Sequence, residues 1–413
     1  MTTRRQFLQT SMAAGLTLSL AGAAMGQPAT KGEAKPAGNG KKLRILILGG
    51  TGFLGPAIIR AAQKNGHSVS TFTRGRTRPG LFKDDEVEKL FGNRDPSKTS
   101  DPITVNGEEK KYEGVKSLEG KQWDVVIDDS GYYPRHVKAS ADLLAPNVGQ
   151  YIFISSVSAY GPSRGVGDDE TAKLAEMDGD PTVENMGPGG KYYGPLKVLC
   201  ERAVEAACPG KTTIVRPGYI VGPDDPTGRF AYWPARAERG GEILAPGTPN
   251  DPIQLVDVRD LGEWLVHLAE NKTLGAYDAL GPAAGELKWG RVLEACQKAS
   301  SNKSTLTWVP HEFLKDQEGV YFPIWIPPVD EYVGFHQRNV SKAIKAGLKF
   351  RPIEDTCRDT LEWWKGLPEA SGRRKFHPGV PDAEKEQEIL ARFHQQGQSK
   401  PGEKPEKDEP KKD

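Results

Sequence analysis

An α/β fold, a doubly wound parallel sheet with a smaller C-terminal substrate-binding lobe, is predicted from three observations. The apolar run at residues 43–48, LRILIL, breaks into a glycine-rich turn and continues at once as an amphipathic segment. Further apolar runs, HSVSTFTRG (67–75), WDVVIDDSG (123–131), YIFISSVSAYG (151–161) and KTTIVRPGYIVG (211–222), alternate with helical stretches around 137–144 and 193–207. Segments rich in Pro, Gly, Trp and Phe at about 224–255 and 303–339 interrupt the alternation and are expected to build the lobe. Short apolar strands between helices are the pattern of a parallel sheet covered on both faces, the Rossmann-type arrangement. Ligands of such sheets bind at the carboxyl ends of the strands, where the notable residues of this chain cluster.

The first turn reads GGTGFLG, with Gly49, Gly52 and Gly55 at the spacing of a dinucleotide loop and Thr51, Phe53 and Leu54 between them. Glycine there permits a tight turn, lets a pyrophosphate approach the helix N-terminus, and lets helix and strand pack closely. Ile58, Ile59 and Ala62 supply the apolar face of the following helix. An acid about 20 residues on would hold the ribose hydroxyls of NAD, whereas arginine accommodates a 2′-phosphate. Here Arg74 and Arg76 stand at that point and no acid does, so NADP is expected, with NAD as the alternative.

A second constellation sits in KYYGPLKVLCE, where Tyr193 and Lys197 lie one turn apart at the start of a predicted helix. A phenol titrates near 10, and a neighbouring ammonium lowers that value by favouring the phenolate. Tyr193 is therefore the candidate general acid/base and Lys197 its helper. Tyr192 has Leu196 rather than lysine four positions on. Ser155, Ser156 and Ser158 stand where a strand ends, placed to hydrogen-bond the substrate oxygen that Tyr193 protonates or deprotonates.

Over about 42–366 the chain resembles the extended short-chain dehydrogenase/reductase superfamily, in particular its NAD-dependent epimerase/dehydratase group. The resemblance rests on GGTGFLG, SSVSAYG followed by YGPLK, RPGYIVGP at 216–223 and QLVDVRDLG at 254–262. It implies Tyr193 as general acid/base, Lys197 as the group that lowers its pKa and holds the nicotinamide ribose, and Ser156 as hydroxyl partner, with Ser158 as fallback. It further implies that Asn93 and Arg94, in a short polar motif with Asp95, approach the adenine. Ser130 and Pro217 would meet the cofactor at later strand ends.

Residues 1–26 carry Arg4 and Arg5, a mildly apolar stretch and small residues near Ala24 and Gly26, the layout of a twin-arginine export signal. The apolar stretch is shorter than the ~20 residues of a membrane span. A flexible linker is expected at 27–42, a dinucleotide domain at 43–222, a lobe interleaved with late sheet elements at 223–377, and a disordered charged tail at 378–413. The 413 residues carry a formal net charge of +1, which shows no electrostatic footprint for nucleic acid. Cys200 and Cys208 fall about 12 Å apart on one predicted helix, beyond disulfide reach. Cys296 and Cys357 stay open as partners, though buried thiols are expected, and no His and Cys set has zinc spacing, so no metal is expected. The aromatic residues Phe230, Tyr232, Trp233, Trp308, Phe322 and Trp325 are expected to be mostly core, with sugar stacking as the other use.

Export narrows the chemistry, because no cytoplasmic pool would recycle a nicotinamide cofactor there. The expected enzyme therefore leaves the cell with its cofactor bound and runs a reaction that restores it. Transient oxidation of a carbinol on a sugar or polyol fits, with the export machinery and a small sugar-like substrate as partners and a homodimer left open. Two alternatives stand beside it: a cytoplasmic nucleotide-sugar epimerase or NADPH-dependent reductase, and a non-catalytic nucleotide-sensing or RNA-binding protein.

Overall fold

The computed structural model describes residues 41–398 except 99–101, 106, 113, 162–164, 318 and 370. The export signal, most of the linker and the last fifteen residues lie outside the described residues. In chain order the strands are β1 (Arg44–Leu48), β2 (Ser68–Thr73), β3 (Glu88–Phe91), the hairpin β4 (Pro102–Val105) and β5 (Glu108–Lys111), β6 (Trp123–Asp128), β7 (Val148–Ile154) and β8 (Thr212–Pro217). The later ones are β9 (Tyr219–Val221), β10 (Gly241–Pro246), β11 (Leu255–Asp257), β12 (Gly275–Ala279) and β13 (Ser304–Val309).

One seven-stranded sheet runs β12-β8-β7-β6-β1-β2-β3, parallel throughout. Helices α1 (Leu54–Lys64), α2 (Pro134–Leu144) and α3 (Tyr193–Ala207) follow β1, β6 and the serine turn, while α4 (Tyr232–Glu238) and α5 (Val258–Glu270) come from the second half. In α1, Leu54, Ile58, Ile59, Ala61 and Ala62 are buried and face the sheet and α5. Each large aliphatic side chain of that stripe contributes about 1.5–3 kcal/mol by leaving water. On the other face α2 and α3 pack together over Leu46, Val126 and Phe153.

The predicted strands all form, with two refinements. The run 211–222 breaks at Gly218 into β8 in the sheet and β9, which pairs with β11 in the lobe. Two sheet strands lacked an apolar signature. The edge strand β3 reads EKLF and is only half covered, and β12 carries the buried Asp278, whose charge is met by Arg338 of a distant segment.

The interrupted segments build the lobe as expected, around a core with Phe230, Trp233, Phe322 and Trp325 joined by Trp289 of α6 (Trp289–Ala299) and Cys357 of α7 (Ile353–Gly366). Five of the six singled-out aromatics are fully buried and Trp308 is partly so, which makes them core. Cys296 and Cys357 sit 3.5 Å apart as buried free thiols, and Cys200 and Cys208 are also free.

Over residues 378–398 the predicted disorder is corrected by the structure, and the rest of the predicted tail, 399–413, lies outside the described residues. Helix α8 (Ala383–Gln398) docks Ile389 and Leu390 into the lobe core. Its Glu386, 2 % exposed, accepts from Arg236 Nε at 2.6 Å and from the Leu244 amide at 3.0 Å. A highly charged composition concealed an amphipathic face that only the lobe completes.

Candidate active site

The cofactor cradle is the turn between β1 and α1. Gly49 adopts φ +113°, a conformation that L side chains rarely adopt, and its amide donates to Phe72 of β2. A Cβ on Gly55 would stand 2.5 Å from the carbonyl carbon of Gly50 and 2.7 Å from its oxygen, so helix and turn touch backbone to backbone. A Cβ on Gly52 would meet nothing within 4 Å. One glycine at positive φ, one packed against its own turn and one facing open space are what a dinucleotide cradle needs. Leu54 is buried beneath the turn and Phe53 is half-buried at the helix start.

One residue that clasps this turn was not anticipated. Arg78 donates from Nε to the Thr51 carbonyl at 3.0 Å and from its terminal nitrogens to the Gly52 carbonyl and to Asp224, the latter at 3.0 Å. Asp224 in turn pairs with Arg373 at 2.6 Å, which ties the lobe and the segment before α8 to the cofactor loop. Arg78 and Asp224 both have positive φ, 43° and 74°, so the two non-glycine residues joined across the cleft are each held in a sparsely populated conformation. The only sequence signal was a third arginine after β2.

Arg74 and Arg76 lie exposed past the end of β2, and among the described residues neither pairs with a carboxylate. Partial burial, then the neighbouring Arg76, lowers the Arg74 pKa. Arg94 behaves differently from the expectation and turns inward. It grips both oxygens of the buried Asp128, with Nη1 to Oδ1 at 2.6 Å, and reaches Ser140 and Ser130. A carboxylate at 0 % exposure must be paired, and Arg94 is its counterion, so it is unavailable to the adenine. Asn93 closes a turn by accepting from the Asp95 amide at 3.1 Å. The Ser130 hydroxyl donates to Leu48 at 2.9 Å, beside Gly49, and Pro217 is buried at the end of β8 opposite Ala279.

The three strand-end serines divide their work. Ser155 donates to Glu201 of α3. Ser156 caps the short turn Val157–Tyr160 by accepting from the Ser158 amide at 3.1 Å, and its hydroxyl is near enough to the Tyr193 phenol to favour the phenolate. Gly194 makes that meeting feasible, since any Cβ there would collide with the Ser158 carbonyl. Burial raises the Tyr193 pKa, opposed first by the Ser156 hydroxyl and then by the positive charge of Arg229 from the lobe.

Lys197 was expected to depress that pKa, and here the structure differs. The residue is 4 % exposed and its ammonium lies at the carboxyl ends of β6 and β7, donating to the Gly131 carbonyl at 2.7 Å and the Ile154 carbonyl at 2.6 Å, over the Phe153 ring. Its ammonium is drawn to the β6 and β7 strand ends, and the groups that oppose the rise in the Tyr193 pKa are Ser156 and then Arg229. Burial lowers the Lys197 pKa, with Cys200 and Asp128 opposing.

Beneath the serines runs a buried network that the sequence did not reveal. Arg216 forks onto Glu201 at 3.0 and 2.7 Å and donates to the Tyr160 hydroxyl at 2.7 Å. That hydroxyl donates to Asp278 at 2.7 Å, and Asp278 pairs with Arg338, whose guanidinium lies 3.7 Å over the Tyr160 ring. Arg338 also donates to the Asp169 carbonyl at 2.6 Å, anchoring the long segment between β7 and α3. The network holds the serine turn from below, with each buried charge paired.

Residues 45–279 match the NAD dependent epimerase/dehydratase family, and the chain belongs to that family. Among curated proteins it is 29 % identical over 230 residues to the chloroplast stem-loop binding protein of 41 kDa b from Arabidopsis thaliana, covering 55 % of this chain and 56 % of that one. It therefore spans just over half the length of that relative. It is 23 % identical over 300 residues to phenylcoumaran benzylic ether reductase TP7 of Nicotiana tabacum, covering 69 % and 83 %. Solved structures share the fold. UDP-glucose 4-epimerase from Bifidobacterium longum, in complex with NAD+ and UDP, has a TM-score of 0.52 at 18 % identity, covering 79 % of this chain and all of that one. UDP-N-acetylglucosamine 4-epimerase from Bacillus cereus has 0.53 at 14 % identity, covering 80 % and 99 %.

Proposed function

We propose that this protein is an exported NAD(P)-dependent enzyme that oxidises a carbinol of a sugar or polyol transiently and keeps its cofactor through the cycle. The observation that carries the reading is the interaction of Ser156 with the Tyr193 phenol, with Lys197 of the same helix buried at the β6 and β7 strand ends and an open face at Gly52 of the glycine turn. When bound, the dinucleotide supplies a hydride acceptor and donor. Everything else belongs to the chain. Tyr193 exchanges the hydroxyl proton at its phenolic oxygen, and Ser156 and Arg229 favour negative charge there. Two of the three Lys197 donors are engaged by carbonyls, which leaves one for a ribose hydroxyl. Gly49, Thr51, Gly52, Phe53, Leu54 and Gly55 hold the pyrophosphate end, and Arg74 with Arg76 favours the 2′-phosphate of NADP. A homodimer is compatible with this reading.

Retention of the cofactor is supported by the Arg78–Asp224–Arg373 clasp over the same turn. The similarity to a tobacco benzylic ether reductase favours one second reading, an NADPH-dependent reductase. The similarity to a stem-loop binding protein favours RNA less, because serine, tyrosine and lysine are all in place and the net charge is +1. The test is to purify the mature protein from the exported fraction, denature it and identify released dinucleotide by mass spectrometry. Stoichiometric NADP or NAD, together with isomerised or dehydrated sugar product in the absence of added cofactor, supports the proposal, and Tyr193→Phe abolishes the product. An empty protein that turns over only with added NADPH supports the reductase and overturns it.

A further inference from the structure

The carboxyl of Asp129 is used by none of the chemistry above, yet it occupies the cradle. The parallel register sets Leu48 of β1 beside Asp128 of β6, and the Asp129 amide donates to the Leu48 carbonyl at 3.1 Å. This brings Asp129 alongside the glycine turn, with its Oδ2 3.5 Å from where a Gly49 Cβ would stand. The amides of Gly50 and Gly55, of the turn and of the first turn of α1, act on this carboxylate and favour its ionised form. Such amides at a helix N-terminus are natural partners of a phosphate. Asp129 remains partly exposed, so it faces the cleft.

We infer that Asp129 is an internal competitor for the cofactor's pyrophosphate, and that the dinucleotide binds together with one proton, taken up by this carboxyl. The inference rests on the reading that this turn holds a dinucleotide. An ionised Asp129 both competes for these amides and repels the incoming phosphates, whereas a neutral one does neither.

The charged groups around it do not prevent this. Asp128, on the same strand end, is neutralised by Arg94 and hydrogen-bonded by Tyr151. Lys197 of α3 favours the ionised form but is held by two carbonyls, Tyr132 lies beside Asp129 as an un-ionised phenol, and Arg78 engages the outer carbonyls of the turn. Burial, then the Asp128 charge, pushes the Asp129 pKa up to about 7, against the Gly50 amide, Lys197 and the Gly55 amide. The proton therefore moves in the physiological range.

The experiment is isothermal titration of the cofactor-free protein with NAD+ and with NADP+ at pH 6, 7 and 8, each in two buffers of different ionisation enthalpy. Wild type should take up close to one proton per dinucleotide at pH 8, and its Kd should weaken about tenfold from pH 6 to pH 8, as a group titrating near 7 requires. Asp129→Asn should bind more tightly than wild type at pH 8, with the proton uptake and the Asp129 share of the pH slope gone. Because the reading is the difference between the two proteins, titration of the NADP+ 2′-phosphate cancels. Binding without proton uptake by wild type, or uptake unchanged in Asp129→Asn, overturns this inference and leaves the cofactor site standing. Absence of binding at every pH overturns both. If the variant does not fold, a wild-type proton uptake of zero with NAD+, which carries no 2′-phosphate, still overturns the inference.

Discussion

Adding one methyl group at Gly55 and one at Gly52 should separate the cradle's architecture from its ligand face. At Gly55 the new Cβ would stand 2.5 Å from the Gly50 carbonyl carbon, against an ordinary contact of at least 3.4 Å, so α1 and the turn must part by roughly 1 Å. Overpacking of this kind costs about 1–3 kcal/mol of stability. The retreat also misplaces the helix N-terminal amides, and a hydrogen bond to a charged group is worth about 1.5–3 kcal/mol. Losing one such bond weakens dinucleotide binding by roughly tenfold to a hundredfold. At Gly52 the Cβ enters open space, so Gly52→Ala should unfold at the wild-type urea midpoint and lose affinity only because the methyl occupies the ligand's place. Urea denaturation and fluorescence titration with NADH, run on both variants, read the two effects apart without a known substrate. Wild-type affinity in Gly52→Ala would refute the placement of the pyrophosphate, and wild-type stability and affinity in Gly55→Ala would refute the close packing of turn and helix.

The docking of α8 predicts that Glu386→Ala, which strands the buried Arg236 and the Leu244 amide, destabilises the protein by about 3–5 kcal/mol in urea melts; a loss under about 1 kcal/mol would show the helix to be loosely held. Replacing Arg74 and Arg76 with alanine should weaken NADP+ while leaving NAD+ nearly unchanged, read as the ratio of the two Kd values, and a constant ratio would remove these arginines from 2′-phosphate recognition. Because the Asp129 pKa is raised on folding from 3.8 to about 7, its contribution is fully present below about pH 4, is lost as pH rises toward 7, and changes little above that. Cofactor-free wild type should therefore lose stability across that window relative to Asp129→Asn, and parallel pH profiles in thermal melts would contradict the assignment.

Much of the cofactor half was legible in the sequence because its determinants are local. A glycine at positive φ, a glycine packed against its own turn, and tyrosine and lysine one turn apart on a helix are all written within a few residues. The apolar runs of β1, β6, β7 and β8 announce a buried parallel sheet by the same logic, since strands covered on both faces have no room for alternation. Local spacing even favoured Ser156, though the reason, a helix whose Gly194 lets Tyr193 approach, is tertiary.

What only the tertiary structure decided concerns charges whose partners are far away in the chain. Arg94 looked like a ligand contact until Asp128, 34 residues on, claimed it. Arg78 drew no notice until the turn and Asp224 closed on it, and Asp278 disguised β12 because Arg338 neutralises it from another segment. The charged end of the chain read as unstructured until the lobe offered Arg236 to Glu386 and a cleft to Ile389 and Leu390. Even the Lys197 role turned on depth: spacing set it beside Tyr193, but the strand-end carbonyls drew its ammonium away. Backbone geometry and apolar burial are properties of a short stretch, readable in order along the chain. Whether a charge is a ligand group or a structural counterion depends on which opposite charge folding delivers to it, and no local pattern contains that answer.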